Sequence, residues 1–144
     1  MVQGSPLREV TLRLPMVPDM EIEASKAATS MAEAIEMSPD KIDEIRMAVV
    51  EACINAFEHS NAPNREVVLS VAVLGDKEPE MLRIIVQDGG VGFVPGEVEK
   101  PTLERKLKAK RKRGWGLMII RGLMDEVEIH SGATGTTVVM SKAR

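Results

Sequence analysis

"REVVLSVAVLGDKEPEMLRIIVQD" (residues 65–88) is the stretch on which the reading of the fold turns. Two runs rich in Val, Ile and Leu, 65–74 and 81–88, are bounded by "SNAPN" (60–64), "GDKEPE" (75–80) and a glycine cluster. Runs of this composition between turn formers read as strands, and the six residues between them read as a hairpin loop. A second pair lies at the end of the chain, where "EVEIHS" (126–131) and "TTVVMSK" (136–142) flank "GATG". Adjacent strands in pairs favour antiparallel ladders.

Upstream of the first pair, "REVTLRL" (8–14) alternates Val10, Leu12 and Leu14 with polar neighbours, the period of a half-buried strand. Residues 24–37 place Ala24, Ala27, Ala28, Met31 and Ile35 at helical spacing. "SPD" (38–40) then supplies Ser38 as an N-cap and Pro39 at the first helical position, opening a helix that runs to about His59. Residues 94–113 carry two Pro, one Gly and the run "ERKLKAKRKR". "GWGLMIIRGLM" (114–124) returns to a helical pattern. The order is strand, helix, helix, strand, strand, basic segment, helix, strand, strand. It predicts an α+β two-layer sandwich, with a mixed, largely antiparallel sheet and helices on one face.

The chain has 144 residues, enough for one domain that buries roughly two-thirds of its unfolded surface. With two Phe, one Trp and no Tyr, the core has to be aliphatic and methionine-rich. The net charge of −3 counts against general nucleic-acid affinity but leaves room for a local basic patch. A single Cys excludes an intramolecular disulfide and any multi-cysteine zinc site. No apolar run approaches 18 residues and no leader-like apolar region opens the chain, so a cytoplasmic protein is expected.

Three stretches carry chemistry. On the helix that begins at Pro39, the residues Ile42, Ile45, Val49, Cys53 and Ala56 form one stripe at 100° per residue. Glu51 falls opposite that stripe, with Asn55 one turn further along. A solvated back face explains both residues, since Glu44 and Glu58 share it. A carboxylate beside a carboxamide also suits proton acceptance and Mg²⁺ ligation. "DGGVGF" (88–93) ends a strand with Asp88 and three glycines in the next four positions. That is a tight turn, or a place where a planar ligand meets the backbone while Asp88 accepts from its amino group. "GWGL" (114–117) opens a helix with two glycines, where unpaired amides bind anions, although loop flexibility explains the same letters. Neither glycine stretch fits the P-loop or the G-x-G-x-x-G fingerprint.

Taken together and in this order, the three stretches resemble the ATPase superfamily shared by type II topoisomerases, heat-shock-90 chaperones, mismatch-repair proteins and sensor histidine kinases. "EACINAFEH" (51–59) is similar to its Asn-bearing helix, "DGGVGF" to its D-x-G-x-G adenine box, "GWGL" to its second glycine box and "GTT" (135–137) to its final Gly-Thr. Within the superfamily the whole chain from Val10 onward, "LMDEVEI" (123–129) included, resembles the bacterial anti-sigma-factor serine kinases.

The resemblance implies a single domain over residues 1–144 with an ATP lid at about 93–115, and ATP with Mg²⁺ as cofactors. It implies Glu51 as the catalytic carboxylate and Asn55 as the Mg²⁺ ligand. Asp88 would accept from the adenine amino group, with Thr136 nearby, and Gly90 and Gly92 would let the backbone close over the base. Arg113, Gly114, Gly116 and Leu117 would complete the nucleotide site. The implied partners are an anti-anti-sigma antagonist protein, phosphorylated on serine, and a sigma factor held by partner switching. Homodimers are implied as well, without membrane or direct nucleic-acid contact.

A rival is an ATP-dependent binding module that moves no phosphoryl group. A nucleic-acid-binding protein using residues 105–113 is disfavoured by the acidic total and the lack of aromatics. The basic density of that run exceeds what phosphate neutralisation needs. Cys53, mid-stripe, reads as a core residue, and Trp115 as an anchor of the lid. His59 and His130 do not read as phosphoacceptors, because a sensor histidine kinase carries that histidine on a separate helical domain.

Overall fold

The computed structural model describes residues 5–60, 65–88, 116–132 and 135–144. Gly90, Gly92, Arg113, Gly114, Trp115 and the segment 93–115 expected to form a lid lie outside them. The elements are β1 (Arg8–Pro15), α1 (Met20–Ala34), α2 (Pro39–His59), β2 (Glu66–Leu74), β3 (Met81–Asp88), α3 (residues 116–123), β4 (Glu126–Gly132) and β5 (Gly135–Ala143). They form the expected two layers. The sheet order is β1-β2-β3-β5-β4, and each of its ladders is antiparallel. The two hairpins close at Leu74↔Met81 and Gly132↔Gly135.

One face of the sheet makes the core. Leu14, Val67, Leu69, Val71, Leu82, Ile84, Val86 and Met140 alternate inward along their strands. They meet Ala24, Ala28 and Met31 of α1, then Ile45, Ala48, Val49 and Cys53 of α2, and Ile120 of α3. Small residues on α1 and α2 let the helices lie close, so an aliphatic core is dense without aromatic bulk. Burial, with the charge of Glu21 adding, pushes the Cys53 thiol up to about 12, so it is inert packing.

α2 starts where the sequence places it. Ser38 has extended backbone, its hydroxyl accepts from Lys41 N at 3.4 Å, and Pro39 follows. At the other end Arg65 donates to Phe57 O and Ser60 O, satisfying carbonyls that the helix leaves open. α1 departs from expectation, beginning at Met20 and ending at Ala34 where the pattern suggested 24–37. Glu36 adopts φ 61, so Glu36 N turns back to Glu33 O and Met37 N to Ala32 O, a helix-ending motif usually built on Gly. Ile35 and Met37 are buried in that turn, which makes their spacing look helical.

The face assignment predicts unequal costs for two neighbours. Leu69→Ala, from a fully buried site, should destabilise by about 2–5 kcal/mol in urea unfolding. Val68→Ala, on the opposite and half-buried face, should cost markedly less.

Candidate functional site

The polar side of α2 is covered by α3. A methyl built on Gly116 would stand 2.6 Å from Asn55 Nδ2, 2.9 Å from Glu51 Oε1 and 3.1 Å from Asn55 Oδ1. The first two distances are shorter than real Cβ contacts, and the atoms met are the ends of the Asn55 and Glu51 side chains, so a side chain at residue 116 would displace those two groups. Glu51 and Asn55 are half-buried, and the solvated-back-face reading does not describe them.

Beside this contact opens a cleft whose empty space, with the solvent at its mouth, is about 520 Å³. Its walls are apolar: Ala52 and Ala56 of α2, Val86 of β3, Leu117 of α3, Ile129 of β4 and Val138 of β5. Its polar groups come from Asn55, His59, Ser60, Asp88, Ser131 and Thr136. Ala52, Asn55, Ala56 and His59 are spaced i, i+3, i+4, i+7, so one stripe of α2 lines the cleft.

Asp88 ends β3 with 7% of its surface exposed. One of its oxygens, Oδ1, accepts from the Thr136 backbone N–H at 3.1 Å. The other carboxylate oxygen remains available to a donor inside an apolar slot, where such a bond is worth more than in water. Thr136 and Ser131 face each other across the β4–β5 ladder, with their hydroxyl oxygens 3.2 Å apart. The slot therefore joins a fixed acceptor to a hydroxyl pair that donates or accepts, flanked by flat aliphatic walls. This is suited to the edge of a planar heterocycle.

Of the residues singled out in the sequence, Asn55, Asp88, Leu117 and Thr136 line this one cleft, and Glu51 and Gly116 meet at its edge. Ser131, His59 and Ser60 were not foreseen. Ser131 was within reach of sequence reasoning, because the hairpin around "GATG" sets it opposite Thr136. Among the described residues, no cluster of three or more His, Cys, Asp or Glu could hold a metal ion, and no helix is long and apolar enough to cross a membrane.

Comparison with known proteins bears on the family and the fold. The family model for the histidine kinase-like ATPase domain matches residues 15–142. Anti-sigma F factors of Bacillus thuringiensis (strain Al Hakam) and Bacillus mycoides (strain KBAB4) are each 29% identical over 136 residues, covering 93% of this chain and 91% of theirs. Among solved structures, that of the RsbU and RsbW domains of a Mycobacterium tuberculosis protein aligns with a TM-score of 0.68 at 22% identity. The alignment covers 97% of this chain and 34% of that one. A chain of the SiaB–SiaC complex from Pseudomonas aeruginosa aligns with a TM-score of 0.58 at 14% identity, covering 94% and 88%. These two likenesses concern the fold.

The close approach at residue 116 is open to direct test. Gly116→Ala should displace the ends of the Asn55 and Glu51 side chains and lower stability by about 1 kcal/mol or less, because flexible side-chain ends give way cheaply. Gly122→Ala on the same helix meets open space and should be neutral or slightly stabilising. Thermal unfolding of both variants makes the comparison.

Proposed function

The chain belongs to the family of histidine kinase-like ATPase domains, and from that premise we propose that it is a Mg²⁺-ATP-dependent protein-serine kinase of the anti-sigma-factor type. In this reading residues 1–144 act as one cytoplasmic domain. It phosphorylates a serine of an anti-anti-sigma antagonist, restrains a sigma factor by partner switching, and works as a homodimer. The observation that carries the reading is the meeting of Glu51 and Asn55 with Gly116 at the edge of the slot that ends in Asp88. Its regulatory part is supported by the similarity to proteins named anti-sigma F factor.

The base of ATP fits the aliphatic slot, with its amino group donating to the free oxygen of Asp88. The Ser131–Thr136 hydroxyls lie at the same end, in reach of a ring nitrogen directly or through water. The phosphates then extend toward the first turn of α3, where a helix leaves its amides unpaired. Asn55 Oδ1 lies close to Gly116 and is a hard oxygen donor, the kind that Mg²⁺ prefers when phosphates and water supply its other ligands. Asn55 would hold the ion, which would offset the charge of the phosphates. Glu51 accepts the proton of the incoming serine hydroxyl. The serine oxygen bonds to the γ-phosphorus as the bond to the β–γ bridging oxygen breaks, and ADP leaves. Glu51 lies beside Asn55 and outside the aliphatic slot, which suits a group that meets the second substrate and leaves the base alone.

Three substitutions separate these roles. Asp88→Asn should fold normally, since an amide oxygen can still accept from Thr136 N–H. It should lose about 1.5–3 kcal/mol of ATP affinity, because a donor then faces the adenine amino group. Glu51→Ala should keep Mg²⁺-ATP binding while single-turnover transfer to a cognate serine falls by about 10²–10⁴-fold. Asn55→Ala should lose metal-dependent affinity as well. Transfer at the wild-type rate by Glu51→Ala would leave a nucleotide-dependent binding module as the better description.

A further inference from the structure

α3 is gripped at the end far from the site by an ammonium group in the core. Lys142 lies on β5 in the inward series with Val138 and Met140, and is 5% exposed. Its Nζ donates to Leu123 O on the last turn of α3 and stands 3.6 Å from Glu44 Oε1 on α2. The next residues are tied down too: Asp125 N donates to Ser141 O at 3.0 Å, and Ala143 N to Asp125 Oδ2 at 2.6 Å. Replacing an entire buried ion pair by apolar side chains is often neutral or stabilising, so a buried lysine with its partner is weak evidence of a stabilising role. A lysine here serves position better than stability.

The spacing shows what is positioned. Glu44 and Glu51 stand seven residues apart on α2, as do Gly116 and Leu123 on α3, two turns in each case. The Gly116 end of α3 meets Glu51, and the Leu123 end meets Glu44 through Lys142. The two helices are therefore antiparallel and pinned at matched heights. A helix transmits an axial displacement along its length, so a slip at Leu123 arrives at Gly116. Gly116 has little slack, because a methyl group there would meet Asn55 and Glu51 within 3.1 Å.

We propose that Lys142, together with Glu44, is a positioning residue that sets the axial register of α3 on α2, and through it the phosphate-facing approach of Gly116 to Glu51 and Asn55. This rests on the nucleotide reading of the cleft given above. The adenine end depends less on the clamp, because its polar groups Asp88, Thr136 and Ser131 belong to the sheet and α3 gives it only the apolar Leu117.

The test is titration calorimetry of the full chain with Mg²⁺-ATP and, separately, adenosine, on wild type, Lys142→Met, Lys142→Arg and Glu44→Gln. Lys142→Met should weaken ATP by about tenfold or more while adenosine affinity stays near the wild-type value. Lys142→Arg should recover part of the loss, and Glu44→Gln should show a smaller shift in the same direction. In a double-mutant cycle, Lys142→Met and Gly116→Ala should be non-additive for ATP, whereas distant sites acting independently add. Equal losses for ATP and adenosine, unchanged ATP affinity, or strict additivity would overturn the proposal. If Lys142→Met fails to fold, the milder Glu44→Gln decides by the same ratio. A wild-type chain that binds neither compound would instead sink the nucleotide reading, and the positioning role with it.

Discussion

Everything at the candidate site depends on how near α3 comes to α2 at Gly116. The polar side of α2 carries a carboxylate and a carboxamide one turn apart, and a third element has to reach them without a side chain of its own. With a Cβ at residue 116 the ends of the Asn55 and Glu51 side chains have to move, and the polar pair loses its present geometry. The contact also explains how α2 serves two layers at once. Its apolar stripe packs on the sheet and α1, while the adjoining flank with Ala52, Asn55 and His59 builds a wall.

The rest of the fold holds that contact in place. An antiparallel sheet with all its helices on one face gives α2 and α3 a common floor, and β3 and β5 bring Asp88 and Thr136 together at the edge of that floor. Arg65 closes the end of α2 nearest the cleft, while Lys142 closes the end of α3 furthest from it. Both cations satisfy helix carbonyls that would otherwise lie unpaired, a use that also matches the negative end of the helix dipole. The site is thus framed by helix ends whose positions are fixed by side chains from strands or from the start of a strand.

Much of this was legible in the letters, for identifiable reasons. Ser38 and Pro39 mark the start of α2 because an N-cap and a proline at N1 are local signals, independent of tertiary context. Strand alternation likewise exposes the core face of β1, and the composition of β2 and β3 identifies a buried hairpin. The end of α1 was not legible, since a glutamate in left-handed conformation at residue 36 gives no sequence cue. Arg144 Nε, bound to Ile35 O at 2.7 Å, closes that turn from over a hundred residues away. Glu51 and Asn55 were visible as an off-stripe pair, but what covers them depends on tertiary packing. Lys142 looked like an ordinary polar residue near the end of a strand, and only its burial reveals its task.

The central claim is that the slot at Asp88 and the polar pair at Gly116 are two halves of one nucleotide site. The most direct measurement follows backbone amide resonances during titration with adenosine and then with Mg²⁺-ATP. Adenosine should shift Asp88, Ser131 and Thr136 while leaving Glu51, Asn55 and Gly116 nearly unmoved, and Mg²⁺-ATP should shift both groups together with one saturation curve. Shifts confined to other surfaces, or two groups saturating at different concentrations, would contradict a single site.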